Sequence, residues 1–230
     1  MIEYKYIIYN NIKIYYKVGN FECYEPREDS FLLNDNIKLF ASNRKVLDMG
    51  CGTGIQGLEA YKYSKDVTFC DLYLECIYLS KINFYINYIN READIEYIYK
   101  NIDKIILPVK FIISDLFSNI NDKYDLIIFN PPYLPEVENE DNKIKRWISG
   151  GKEGYETILR FLRDAYKFLN VGGEILLIMS SISKPEYIIK NFSNIYNFTQ
   201  ISKVHYFFED IILFNIKPKV YIDKTKIISK

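Results

Sequence analysis

Apolar and polar positions along this chain change their period in a regular way. From Val46 onward, short apolar runs alternate with longer segments whose apolar residues recur every three or four positions, the pattern of a parallel α/β sheet. The runs at 46–49, 67–71, 109–114, 124–129 and 174–179 predict strands, and 55–63, 73–88 and 155–169 predict helices. Asn170, Gly172 and Gly173 form the expected stop of the last of these. Pro185 suits a helix start, giving a helix to about residue 196, and 201–206 and 211–216 read as closing strands with Glu209 and Asp210 at the turn. Ahead of Val46, the segments 4–9 and 12–18 flank Asn10-Asn11 as a hairpin, and 30–40 predicts a helix leading into the sheet. The expected fold is α/β: a doubly wound, Rossmann-like, seven-stranded and mostly parallel sheet with an antiparallel pair at its end and a short N-terminal hairpin.

The 230 residues suit one domain, with 1–29 as an extension and 30–230 as the core. Apolar residues make up 49% and charges 26%, a globular profile. Lys+Arg and Asp+Glu balance at 30 each, whereas proteins held to nucleic acid through phosphates usually carry a basic excess. The four cysteines form no CxxC pair and His205 is the single histidine, so no metal site is expected and free thiols are the default. With no charged-then-apolar leader and no apolar run near ~20 residues, the expectation is a cytoplasmic protein without a membrane span. The Lys-rich end, 217–230, reads as a solvated edge or tail.

Composition leaves the chemistry open, and the strand ends supply it. The first core strand runs into Asp48-Met49-Gly50-Cys51-Gly52-Thr53-Gly54, with Gly57 in the helix that follows. Such glycines let backbone turn tightly and approach a ligand at the C-terminal ends of strands. Asp71, with Leu72 behind it, ends the next strand about 20 positions later, where an acid can accept from both ribose hydroxyls of an adenosine cofactor. Gly52, Gly54 and Gly57 also satisfy the dinucleotide pattern, and Asp71 suits NAD as well as S-adenosylmethionine (SAM). Two details favour SAM: Asp48 would attract an ammonium and repel a phosphate, and Gly50 completes the D-x-G-x-G-x-G form. A ligand-free glycine turn is the plain alternative. Asp115, followed by Leu116, could accept from the adenine amine while the Leu116 N–H donates to the ring; the alternative for Asp115 is a helix N-cap.

The strand at 124–129 delivers Asn130-Pro131-Pro132-Tyr133. Two prolines stiffen the loop and fix where its carbonyls point. An amide or base amino nitrogen is a poor nucleophile because its lone pair is delocalised. The Asn130 side-chain oxygen and the Pro131 carbonyl can accept from its two N–H bonds and favour the pyramidal, increasingly positive nitrogen of the transition state, with Tyr133 stacking on the planar face. No strong base is needed, in keeping with a site that holds no histidine. A proline-stiffened loop with Asn130 as a local cap is the alternative.

With these motifs in place the chain resembles the HemK/PrmC-type methyltransferases that modify the glutamine of the Gly-Gly-Gln motif in class-1 translation termination (release) factors. The resemblance includes the segment from Tyr24-Glu25-Pro26-Arg27 through Asp29 and Ser30 to Leu33, the glycine turn, Asp71, Asp115-Leu116, the Asn130 to Tyr133 loop, and Trp147 with Gly150, Gly151 and Gly154. The short N-terminus is similar to the archaeal and eukaryotic branch. The resemblance implies that Ser30 (threonine is more usual), Asp48, Gly50, Gly52, Gly54, Asp71, Leu72, Asp115, Leu116 and Asn130 surround SAM, with S-adenosylhomocysteine as product, and that Asn130 holds the substrate glutamine. It also implies a small zinc-binding activator subunit on an apolar sheet edge; Ile105, Ile106, Leu107, Val109, Phe111 and Ile112 offer one, although core is their expected role. Two rival functions remain. A DNA or RNA adenine/cytosine methyltransferase would use the same loop on a flipped base, with Lys143, Lys145 and Arg146 nearby but Glu136, Glu138, Glu140 and Asp141 preceding them. A non-catalytic SAM-binding subunit would have no need of Asn130 and Tyr133.

Overall fold

The computed structural model describes residues 2–136 and 142–219. Its centre is β4 (Val46–Met49), buried at every position, as a strand covered on both faces must be. Parallel to it lie β5 (Val67–Asp71) and then β6 (Lys110–Ile113) on one side, and β7 (Tyr124–Phe129) and then β10 (Leu169–Ser180) on the other. The antiparallel strands β12 (Glu209–Pro218) and β11 (Tyr196–Tyr206) close that second side, giving the order β11-β12-β10-β7-β4-β5-β6. Order reverses beside β4, where open α/β sheets place their ligands.

Helices α1 (Glu28–Ile37), α2 (Ile55–Tyr61), α3 (Leu74–Phe84), α4 (Ile95–Asn101), α5 (Asn142–Ile148), α6 (Glu156–Ala165) and α7 (Pro185–Phe192) make the connections. The N-terminal strands β1 (Tyr4–Tyr9), β2 (Ile12–Val18) and β3 (Phe21–Glu22) form a separate antiparallel sheet. Asn10 and Asn11 hold φ of 49° and 62°, as a two-residue hairpin turn requires. Asn83 clamps this sheet to the core: its Oδ1 accepts from the Tyr15 N–H (2.8 Å), and its Nδ2 donates to the Tyr15 carbonyl and to the Thr53 carbonyl in the glycine turn (2.9 Å each). Asn87 treats Lys13 in the same way. A short parallel pair, β8 (Leu134–Pro135) with β9 (Ser149–Gly151), follows the Asn-Pro-Pro-Tyr loop.

Several expectations are corrected. Cys23 and Cys76 form a disulfide with Cα atoms 5.7 Å apart, so only Cys51 and Cys70 are free, both buried. Residues 170–173 belong to β10, where the register shifts between Leu169 and Glu174 and a glycine at φ +79° relieves the irregularity. The helix from Pro185 ends at Phe192, because 196–200 pair with β12. Glu209 and Asp210 lie inside β12, while Phe207 at φ 51° makes the turn. Helix α4, unpredicted, begins at Asp94, which accepts from the Glu96 N–H at 3.0 Å. In the 105–112 segment Ile105, Leu107, Val109, Phe111 and Ile112 are partly buried and pack against the core, as expected, while Ile106 is 95% exposed and β6 ends the sheet. Among the described residues no helix is long and apolar enough to cross a membrane, and no cluster of His, Cys, Asp or Glu suits a metal. Glu138, Glu140, Asp141, the side chain of Lys143 and the tail from 220 onward lie outside the described residues.

Candidate active site

A cavity of about 560 Å³ opens where β4, β5 and β7 end, within the range of small-molecule sites. Its walls bring together Ser30, Gly50, Gly52, Asp71, Leu72, Asp115, Leu116, Asn130, Pro131, Pro132 and Tyr133. Asp48 and Gly54 are not among them. The Asp48 carboxylate is 2% exposed and accepts from the Gly57 N–H at 2.8 Å, fastening the start of α2. Burial, aided by the nearby Asp71 charge, pushes its pKa up to about 8. Its carboxylate is thus engaged inside the fold rather than on the cavity wall. Gly54 serves packing: it precedes α2 at φ +83°, and a Cβ there would lie 2.9 Å from Ser80 Cβ.

The remaining positions form a cradle. At Gly52, φ +54°, a Cβ would meet nothing within 4 Å, so open space faces the backbone. Asp71 accepts from the Gly52 N–H (2.8 Å) and the Tyr73 N–H (2.9 Å), which leaves further lone pairs on each oxygen for a ligand. Burial raises its pKa to about 6. Leu116 takes φ 48°, rare for a bulky residue, and lines the wall beside Leu72. Asp115 is no helix cap; it pairs with Arg160 of α6 at 2.7 Å. Arg160 was invisible to sequence reasoning because it sits in an amphipathic helix where any charge suits the solvent face.

The other wall is built on α1, where Asp29, Ser30, Leu33, Asn34 and Ile37 are buried at helical spacing. Asp29 and Ser30 thus occupy a core-facing stripe, a second sequence signal for Asp29 beside the resemblance. Its carboxylate accepts from the Ser30 N–H (2.6 Å), Asn130 Nδ2 (3.1 Å) and Tyr133 Oη (3.4 Å), and Tyr24 Oη lies 3.4 Å away. Burial raises the Asp29 pKa, and the Asn130, Ser30 and Tyr133 hydrogen bonds oppose that shift. Asn130 Nδ2 also reaches Ser30 Oγ at 3.3 Å. Asn130 Oδ1 is enclosed and has no hydrogen-bond partner among the described residues, a costly state for a carbonyl. Tyr133 is 8% exposed with its hydroxyl turned to Asp29. It forms a wall of the cavity.

This sheet order, with a glycine turn, a strand-ending acid and an Asn-Pro-Pro-Tyr loop around one cavity, defines the class I, Rossmann-like methyltransferase fold. The chain belongs to the methyltransferase small domain family, whose model matches residues 11–207. It is 34% identical over 165 residues to MJ0928 of Methanocaldococcus jannaschii, named as a protein N5-glutamine methyltransferase, covering 70% of this chain and 74% of that one. It is 27% identical over 168 residues to ribosomal RNA small subunit methyltransferase C of Buchnera aphidicola, covering 70% of this chain and 40% of the relative. Among solved structures, the E. cuniculi Mtq2–Trm112 complex, described as responsible for methylating the eRF1 translation termination factor, superposes with a TM-score of 0.60. The identity there is 20%, over 86% of this chain and 99% of that one.

Proposed function

We propose that this methyltransferase transfers the methyl group of SAM to the side-chain amide nitrogen of the glutamine in the Gly-Gly-Gln motif of a class-1 termination factor. The observation that carries this reading is the enclosed, partnerless Asn130 Oδ1 beside the cavity. An acceptor in that state suits an N–H donor brought by a substrate. The cradle fits the nucleoside of SAM: Gly50 and Gly52 would give close backbone approach, Asp71 would accept from the ribose hydroxyls, and Asp115 with Leu116 would meet the adenine edge. Bound there, SAM supplies a methyl group already activated on a sulfonium. The protein's own part is alignment. Asn130 Oδ1 and the Pro131 carbonyl would accept from the two amide N–H bonds, hold the nitrogen in line, and stabilise positive charge as it grows. Tyr133 and the two prolines would keep water from the reacting atoms. The name of the archaeal relative supports a glutamine acceptor. We place this activity in the cytoplasm, with a small zinc-binding activator subunit on the β6 edge, where Ile106 and Ile113 are exposed.

Similarity to a ribosomal RNA methyltransferase favours a second reading, methylation of a flipped base. Against it, Lys145 pairs with Glu136 (3.1 Å) and Arg146 with Glu75 (2.8 Å), which neutralises cations flanking the cavity. Methyl-labelled SAM, offered with the termination factor, with a variant lacking the motif glutamine, or with ribosomal RNA and DNA, tests both. Label confined to the intact factor is expected; label on nucleic acid overturns the glutamine reading.

Cofactor binding should depend on pH through Asp71. Its pKa is raised to about 6, and only the ionised carboxylate accepts from both hydroxyls without offering a competing proton. S-adenosylhomocysteine affinity is therefore expected to be flat above pH 7 and to weaken below pH 6, by up to roughly tenfold per unit. Calorimetry at pH 5, 6 and 7.5 measures this, and Asp71→Asn should bind more weakly with the slope removed. An equal slope in the variant would assign the effect elsewhere.

A further inference from the structure

We propose that Asp29 is a positioning residue for methyl transfer: its carboxylate sets the polarity of the Asn130 amide, so that oxygen and not NH2 is available to the substrate. This rests on the glutamine reading and extends it to a residue that need not touch the substrate.

The two ends of a carboxamide have nearly the same shape, so packing alone distinguishes them poorly. The polarity must come from the partners at one end. Asn130 Nδ2 has two, Asp29 Oδ2 at 3.1 Å and Ser30 Oγ at 3.3 Å. The Ser30 hydroxyl donates its own proton to Asp29 Oδ1 at 3.3 Å, so it meets Asn130 Nδ2 as an acceptor, and that choice too is set by the carboxylate. An ionised carboxylate only accepts. Turning the Asn130 amide over would set its carbonyl oxygen against Asp29 Oδ2, while NH2 faced the N–H bonds of the incoming amide. Asp29 is itself held: its Oδ1 takes the Ser30 backbone N–H at 2.6 Å, and Tyr24 and Tyr133 direct hydroxyls at it. It is 4% exposed, on the first turn of α1.

The Ser30 N–H supplies a sharp test. Asp29→Asn is nearly isosteric, yet one end of the new amide must be NH2. Its oxygen is claimed by the Ser30 N–H, an obligatory donor, so its NH2 faces Asn130 and draws the Asn130 oxygen inward. A packing role predicts that Asp29→Asn is the mildest substitution available. A polarity role predicts a severe one, at least ~100-fold in kcat, the scale of a lost transition-state hydrogen bond. The exchange Asp29→Asn with Asn130→Asp restores an acceptor toward the cavity, because the carboxylate then at 130 takes the new NH2 on one oxygen and keeps the other free.

The experiment compares wild type, Asp29→Asn and the double exchange in steady-state methylation of a glutamine-containing termination factor. S-adenosylhomocysteine affinity is measured by calorimetry, and the Asn130 side-chain amide of nitrogen-15-labelled protein by NMR. Expected are a loss in kcat with Asp29→Asn, at least a tenfold recovery in the double variant, and cofactor affinity within threefold throughout. The wild-type Asn130 NH2 protons should exchange slowly and contact the Ser30 β-protons, and Asp29→Asn should abolish that contact. The proposal is overturned if Asp29→Asn keeps kcat within threefold, if the exchange gives no recovery, or if cofactor affinity falls in parallel with kcat. Wild type that ignores glutamine overturns the glutamine reading, and the NMR comparison then decides the orientation of Asn130 independently.

Discussion

Asn130→Ala is expected to lower kcat by about 10²–10³-fold, roughly 2.7–4 kcal/mol in the transition state, while leaving S-adenosylhomocysteine affinity within a few-fold. The asymmetry follows from how the side chain is tied. Its NH2 is committed to Asp29 and Ser30, so the only group withdrawn from the reacting centre is the enclosed oxygen. Asp29 would keep the Ser30 N–H and the two tyrosine hydroxyls, and α1 should remain in place. The cradle at Gly52 and Asp71 lies on other strands and loses nothing. Single-turnover methyl transfer with calorimetry of the same samples separates the two quantities. Unchanged turnover would remove Asn130 from the chemistry, and a parallel loss of cofactor binding would make it part of the cofactor site instead.

Gly154→Ala is expected to be severely damaging although the residue lies outside the cavity lining. The residue holds φ +87°, and a Cβ built there lies 2.5 Å from the Tyr133 carbonyl oxygen and 2.9 Å from the Pro135 nitrogen. Both contacts are with backbone, which cannot swing aside as a side-chain tip can. Left-handed backbone costs an ordinary residue about 1–2 kcal/mol and overpacking about 1–3 kcal/mol, so a loss of about 2–5 kcal/mol in unfolding free energy is expected. Relief comes most readily by pushing β8 away from β9, and β8 carries the far end of the Asn-Pro-Pro-Tyr loop. Folded enzyme that survives should thus show a kcat reduced at least ~100-fold. Urea denaturation reports the first effect and initial rates the second; a variant within 1 kcal/mol of wild type and of normal activity would show that this loop tolerates displacement.

Much of the sheet was legible because its strands are short apolar runs bounded by turn chemistry. β4, β5 and β7 begin and end where the run does, and the Asn10-Asn11 hairpin follows from two residues that tolerate positive φ. Misreadings arose where a residue's usual signal was overridden. Gly172 and Gly173 resemble a helix stop but relieve an irregularity in β10. Tyr196 to Gln200 carry no apolar run, and pairing with β12 alone makes them strand. The Cys23–Cys76 bond joins residues separated by 53 positions, and only their three-dimensional approach reveals it. In the site, spacing predicted which residues gather at the strand ends but not where a side chain points. Asp48 occupies the expected position and turns toward the Gly57 N–H. Asp29, which the resemblance included without a role, acquires one only once Asn130 is seen beside it.

The asparagine clamp has a consequence for how this molecule can be altered. One carboxamide, Asn83, grips both the second strand of the leading sheet and the carbonyl of Thr53. The front of the chain therefore acts as a splint on the glycine turn, and trimming it would leave that amide half-solvated in the interior. A shortened form would be compromised in ligand grip before it failed to fold, so tags or fusions are better placed elsewhere than against that first sheet.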